Sequence, residues 1–184
     1  YFDKESDHSK DGFLDQPKIK QINVFNRWEY VGNEDYHIAF TARALAEDRQ
    51  GGQLSSYENP YIVDINNKLI EFSSKTGSIQ PKSPGKSAGL QTSFRFHNQD
   101  AIFGINQYNV RQESSYINFI RQTYINNTNN VLKYGFSGYT DRFTESFSGN
   151  IDEAFKDKVR LDVMPGVFTE YTYKSGEYFN LTAG

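Results

Sequence analysis

An all-β fold, an antiparallel up-and-down meander of about eight strands, is what this chain predicts, and three observations predict it. Hydrophobic residues recur at every second position over long segments, the period of a strand with two unlike faces. Tight polar turns separate those segments, and aromatic rings crowd both sides of each turn. Helix-period patterning is weak throughout.

Ile19 to Tyr30 reads as a first, irregular strand, closed by the turn Gly32-Asn33-Glu34-Asp35 between Trp28, Tyr30 and Tyr36. The clearest strand follows, with Tyr36, Ile38, Phe40, Ala42, Ala44 and Ala46 on one face. His37, Thr41, Arg43 and Glu47 take the other, broken only by Ala39 and Leu45. Good helix formers fill Thr41 to Asp48, but their alternation outweighs propensity. Lys68 to Ile79 is the third strand. The fourth sets Ala88, Leu90, Thr92, Phe94 and Phe96 against Gly89, Gln91, Ser93, Arg95 and His97. Ser114–Ile125 and Val131–Phe143 flank a turn at Asn126 to Asn130. A seventh strand places Val159, Leu161, Val163, Val167, Thr169, Tyr171 and Tyr173 against Arg160, Asp162, Gly166, Glu170 and Thr172. Tyr178 to the end is the eighth. Residues 1–18 read as a loop, and Asp152 to Val159 as a loop with room for one helical turn.

Composition bounds the function. In 184 residues, 36% hydrophobic and 16% aromatic is enough apolar material to cover a large buried or lipid-facing surface, which argues against disorder. Mean hydropathy is −0.73 and no apolar run reaches the roughly 18–20 residues of a spanning helix. A barrel needs only alternate residues to face lipid, so low hydropathy does not oppose one. The net charge of −3 argues against nucleic acid as a partner. Zero cysteines exclude disulfides, zinc-thiolate sites and thiol catalysis.

The connections alternate short and long: Gly32 to Asp35, Arg49 to Asn67, Gln80 to Ser87, Asp100 to Glu113, Asn126 to Asn130, Thr144 to Lys158, Lys174 to Glu177. Together with strands near the roughly 9–11 residues of a spanning strand, this pattern predicts a sector of a large transmembrane β-barrel with short periplasmic turns and long extracellular loops. Trp28, Tyr30, Tyr36, Tyr124, Tyr171, Tyr173 and Tyr178 are the expected membrane-interface girdle, since ring bodies with polar tips favour that boundary. Arg121, in phase with Ile117 and Phe119, is aimed at lipid and close enough to the Asn126 turn to snorkel. Pro165, unable to donate in a ladder, predicts a bulge with Gly166. Tyr1 begins without a signal peptide and Leu181 to Gly184 stops in mid-pattern, so the expectation is an excerpt of something longer.

Asn26-Arg27-Trp28-Glu29-Tyr30, Gly51-Gly52-Gln53, Asp100-Ala101-Ile102-Phe103-Gly104 followed by Tyr108 and Gln112, Gln122 with Asn127-Thr128-Asn129, and Pro165 through Tyr173 stand in an order that resembles the middle of a TonB-dependent outer-membrane receptor barrel, over roughly Ile19 to Gly184. That resemblance implies the outer membrane of a Gram-negative bacterium, a parent barrel of about 22 strands, and uptake of a scarce ligand. The partners it implies are outer-membrane lipid, a plug domain, the TonB energy-coupling system and a small ligand of unknown class, with no nucleic acid. No plug or energy-coupling segment is recognisable in the sequence.

Chemistry elsewhere is sparse, and neither a catalytic site, a cofactor nor a metal is expected. His8, His37 and His97 lack metal-ligand spacing. Asp7-x-Ser9-x-Asp11-Gly12 begins like a calcium loop, but Lys18 stands where that loop needs a bidentate Glu. In the extracellular loops, Tyr57, Tyr61, Phe103 and Tyr108 beside Asn106 and Asn109 suit stacking on a ligand while satisfying its polar groups. Arg43, Arg95, Arg160 and Glu170 are expected to face the lumen. Two rival readings are a soluble β-sandwich or lectin-like binding module, and a small complete outer-membrane barrel whose first and last strands pair.

Overall fold

Alternating oily and polar side chains separate onto the two sides of a sheet, and that separation holds along most of the described strands, with Phe25, Ile79, Ile120, Met164 and Phe168 among the exposed apolar exceptions on the polar side. The structure, a computed structural model, describes residues 4–32, 35–80, 82–83, 85–149, 157–176 and 178–184. Its eight strands are β1 (Lys18–Gly32), β2 (Tyr36–Gly52), β3 (Ile62–Ile79), β4 (Ser87–Phe103), β5 (Asn106–Ile125), β6 (Asn127–Ser148), β7 (Asp157–Ser175) and β8 (Phe179–Ala183). They pair antiparallel, each with its neighbours in sequence, in one meandering sheet. The helix formers of Thr41–Asp48 lie inside β2, so period did override propensity.

Neither rival architecture is formed among the described residues. One sheet offers no second layer for a sandwich. β1 and β8 sit at opposite edges, so the sheet is not closed as a small complete barrel requires.

Register fixes which residues share a side, because directly opposed residues point the same way. One side carries Ile22, Val24, Trp28 and Tyr30 of β1, opposed to Ala46, Ala44, Phe40 and Ile38 of β2. It continues through Ile70 and Phe72, paired with Phe96 and Phe94, then Leu90 with Phe119, Phe119 with Phe136, and Phe136 with Val167. Stacked rings knit it together: Trp28 on Phe40 at 5.5 Å, Phe40 on Phe72 at 6.3 Å and Phe119 on Phe136 at 5.5 Å between centroids. We call this the apolar face. Among the described residues nothing covers it: Val167 is 88% exposed, Ile22 69% and Leu161 63%.

The opposite, polar face holds the crowded residues. Ala39, Ala101, Val131, Glu47 and Asp141 are buried, and all five lie there.

Several connections differ from expectation. Asp100 to Glu113 is no loop: β4 and β5 run on to a two-residue turn at Gly104-Ile105, with Phe103 opposite Asn106. Gly104 has φ +62°, and a Cβ there would meet the Tyr61 ring at 2.6 Å, so this turn needs glycine. The long loop between Arg49 and Asn67 shrinks to residues 53–61. The turn at Asn126 to Asn130 contracts to Asn126 alone, with φ +62° and a register shift at Tyr124/Ile125. Pro165 needs no bulge. It pairs in unbroken register with Gly138 along a stretch of β7 that β8 does not reach, and proline is tolerated at such an open edge. The helical turn expected over Asp152 to Val159 lies largely outside the described residues, and Asp157–Val159 already belong to β7.

Candidate functional site

The strands are longer than a bilayer needs, 15 to 22 residues in β1 to β7 against roughly 9–11. The excess gathers at the end bearing loop 53–61 and the Gly104 turn, here the loop end; the opposite end carries Asn126 and the β1–β2, β3–β4 and β7–β8 connections, here the turn end. Towards the loop end the apolar face changes character. Past Ala46, Phe96 and Ile70 come Asp48 opposite Asn66, Asn66 opposite Asp100, and Lys68 opposite Asn98. On β5 and β6 the same margin presents Glu113 opposite Arg142 and Arg111 opposite Thr144.

Towards the turn end the same face ends in rings. Trp28, Tyr30, Tyr36, Tyr134, Tyr171 and Tyr173 share the apolar face there by register. Arg121 lies among them, between Ala88 and Tyr134. Tyr124, grouped with these rings by sequence, departs: it opposes Val131 on the polar face, with its hydroxyl against Gly85. Tyr178 stands in the β7–β8 turn, 98% exposed.

On the polar face, Arg43, Arg95, Arg160 and Glu170 are aligned by parity, and three are engaged. Arg95 pairs with Glu71 at 2.9 Å, Lys133 with Glu170 at 2.8 Å and Arg160 with Asp162 at 3.1 Å. Arg160 also lies over the Phe143 ring at 4.3 Å. Arg43 opposes Glu71 across β2 and β3. Buried Asp141 collects Gln112 Nε2 at 2.9 Å, Ser114 Oγ at 3.0 Å and the Tyr139 hydroxyl at 2.8 Å. Buried Glu47 receives Arg49 Nε at 2.8 Å. Asp141 and Glu71 were not singled out by sequence, while Glu47 and Gln112 were named there, on the polar side and among the family-like motifs, without a site role. Parity with Arg95 and Lys133 was the signal that points to them.

The six expected ligand-contact residues do not converge on one cavity. Tyr57 lies against Gly12 of the N-terminal segment and Tyr61 against Gly104, so both rings pack the loop end together. Phe103, Asn106, Tyr108 and Asn109 are strand residues, not loop residues, which corrects their expected setting. Asn109 is on the apolar side, its amide nitrogen 3.1 Å from Asp100 Oδ1. Tyr108 and Asn106 are on the polar side. Tyr108 donates to Glu145 at 2.8 Å and its ring meets Phe147 at 4.5 Å. Burial first, then that bond, pushes its phenol up to about 12.

The N-terminal segment is tied to the loop end. Leu14 N–H donates to the Gly52 carbonyl and Leu54 N–H to that of Gly12. Asp7 accepts from the Asp11 and Gly12 amides at 3.2 and 3.0 Å, and Lys18 is engaged with Glu5 at 2.7 Å. Among the described residues no three His, Asp or Glu gather as a metal site. No family model matches the chain, and neither a curated protein nor a solved structure matches it significantly.

Proposed function

We propose that this chain is a sector of the wall of an outer-membrane TonB-dependent receptor, a barrel that takes up a scarce ligand. One observation carries the membrane part: exposed apolar side chains recur on one face of all seven long strands, interrupted by the hydrogen-bonded pairs Ser74–Thr92 and Ser115–Thr140, and they give way to polar residues towards the loop end. On β2 the band is Tyr36 to Ala46 and on β4 Ala88 to Phe96, the roughly 9–11 residues that span a bilayer with tilt. A soluble sheet this oily would present an exposed patch far beyond what monomeric proteins tolerate. The ringed margin and the crowded polar face support the same reading. Receptor and importer rest on the ordered motifs that resemble that family, and the polar-face charges are then a hydrated wall for a plug or a passing ligand.

Fractionation of cells expressing the protein tests the membrane part, and recovery in the soluble fraction rejects it. A finer test uses the absence of native cysteine. Leu90→Cys carrying a fluorophore should be quenched by lipid-borne quenchers, while Gln91→Cys, its neighbour on the other face, should be quenched only from water. Equal behaviour at the two positions rejects the orientation. Growth of a deletion strain on single scarce nutrients, compared with a strain lacking the energy-coupling system, tests the importer part.

A further inference from the structure

We propose that the shelf formed by Arg111, Glu113, Arg142 and Thr144 binds the phosphate of an anionic lipid headgroup; this rests on the membrane reading above. The four side chains belong to adjacent strands β5 and β6, all on the apolar face, and line a cavity of about 220 Å³. Two guanidiniums against one carboxylate leave the shelf net positive. Glu113 holds Arg111 at 2.7 Å, and among the described residues Arg142 has no ion-pair partner. Guanidinium forks match phosphate oxygens in pairs, and the Thr144 hydroxyl adds a donor.

What selects a lipid over free phosphate is the floor beneath the shelf. Arg142 stands directly between Glu113 and Leu161, and Glu113 between Arg142 and Phe96. One step further into the band are Phe94 beside Ser115, and Thr140 beside Val163. A ligand seated here meets cations at its head and exposed hydrocarbon at its tail, the layout of an amphiphile lying along the wall. The larger cavity of about 430 Å³ near Lys18 and Lys20 is a poorer candidate: Asp48 and Asp64 share it, and Lys18 is already held by Glu5.

The test reconstitutes the full protein into phosphatidylcholine vesicles with or without phosphatidic acid, a headgroup that is a bare phosphate monoester. After detergent extraction, lipid retained on the protein is read by native mass spectrometry. The expected result is phosphatidic acid retained by the wild type and reduced at least several-fold in Arg111→Gln/Arg142→Gln, with partial rescue in Arg111→Lys/Arg142→Lys. Equal retention by wild type and the Gln variant overturns the proposal. So does inorganic phosphate displacing the lipid at comparable concentration, since the acyl floor would then contribute nothing. A protein that never floats with vesicles fails the membrane reading itself, whereas one that inserts without headgroup preference fails only this proposal.

Discussion

The two margins of the apolar face are cut from the same strands yet close in different chemistry. At the turn end the face finishes in Trp28, Tyr30, Tyr36, Tyr134, Tyr171 and Tyr173 with the single cation Arg121 among them; at the loop end no Tyr or Trp of the described strands stands at its margin, and Lys68, Arg111, Glu113 and Arg142 do. Rings with polar tips settle into an interface by matching its gradient of polarity, whereas fixed charges end an apolar surface abruptly and attract counter-charges. The asymmetry gives the sheet a direction, with the long polar strand extensions on the charged side, and on the proposed membrane reading the two ends would meet the two boundaries of the bilayer.

The largest expected effect lies between the margins. Val167 is already 88% exposed, so Val167→Arg removes almost no packing, and in water it should be close to neutral. In a bilayer it should cost about 2–4 kcal/mol, as a cation near the midplane does. Asn118→Arg, on the polar face of β5, serves as the control and should cost little. Urea titrations of the protein folded into vesicles measure both, and equal costs would erase the distinction between the faces.

A smaller effect separates the margins themselves. Trp28→Ala removes the stack on Phe40, worth about 0.5–1.5 kcal/mol beyond buried area. Lys68→Ala, at the charged margin, should lie within about 0.5 kcal/mol of zero, as for an exposed side chain away from any packed or paired group. If the lysine change were the costlier in the same titration, the aromatic margin would not be the anchoring one.

The sequence already contained the eight strands, their order and both faces, because alternation is legible wherever one face is oily and the other polar. It lost the strands where that contrast ends. From Asp100 to Glu113 the two faces no longer contrast, with Ile102 on one and Ala101, Phe103 and Val110 on the other, so β4 and β5 read as loop although their ladder runs unbroken to Phe103 and Asn106. Tyr124 was misplaced because aromatic spacing near a turn says nothing of parity. Asp141 was overlooked, and Glu47 placed on the polar side without a role, because a carboxylate on a hydrated strand looks like any other until register brings Gln112, Ser114 and Tyr139 around one of them.

On the polar face near the loop end, Tyr108 gives a pH signature. Its phenol titrates near 10 when unfolded and is pushed up to about 12 in the fold. The fold therefore favours the protonated form, and the stability this contributes is complete below pH 10 and lost as pH rises towards about 12. Tyr108→Phe keeps the ring against Phe147 but deletes the bond to Glu145, so the alkaline loss in that window should diminish. Stability measured across the window checks it; an unchanged alkaline slope would assign the titration elsewhere.

The smallest effect belongs to the N-terminal segment at the same end. The ammonium of Lys18, chiefly, and the Ser55 hydroxyl hold the Glu5 carboxyl below its ordinary 4.5. A depressed acid contributes stability above its unfolded value and loses it as pH falls through the folded one, so the tether from Glu5 to Lys18 and Ser55 weakens only below pH 4.5. Glu5→Gln should leave the amides of Leu14 and Leu54, whose N–H groups join the segment to Gly52 and Gly12, weakly protected at neutral pH relative to their intrinsic exchange rate, with that protection unchanged on acidification. Because the group is solvated, the sheet beneath should be untouched: protection along β3 and β4 should match the wild type, and a loss there would mean the segment braces the charged end of the sheet instead of merely resting on it.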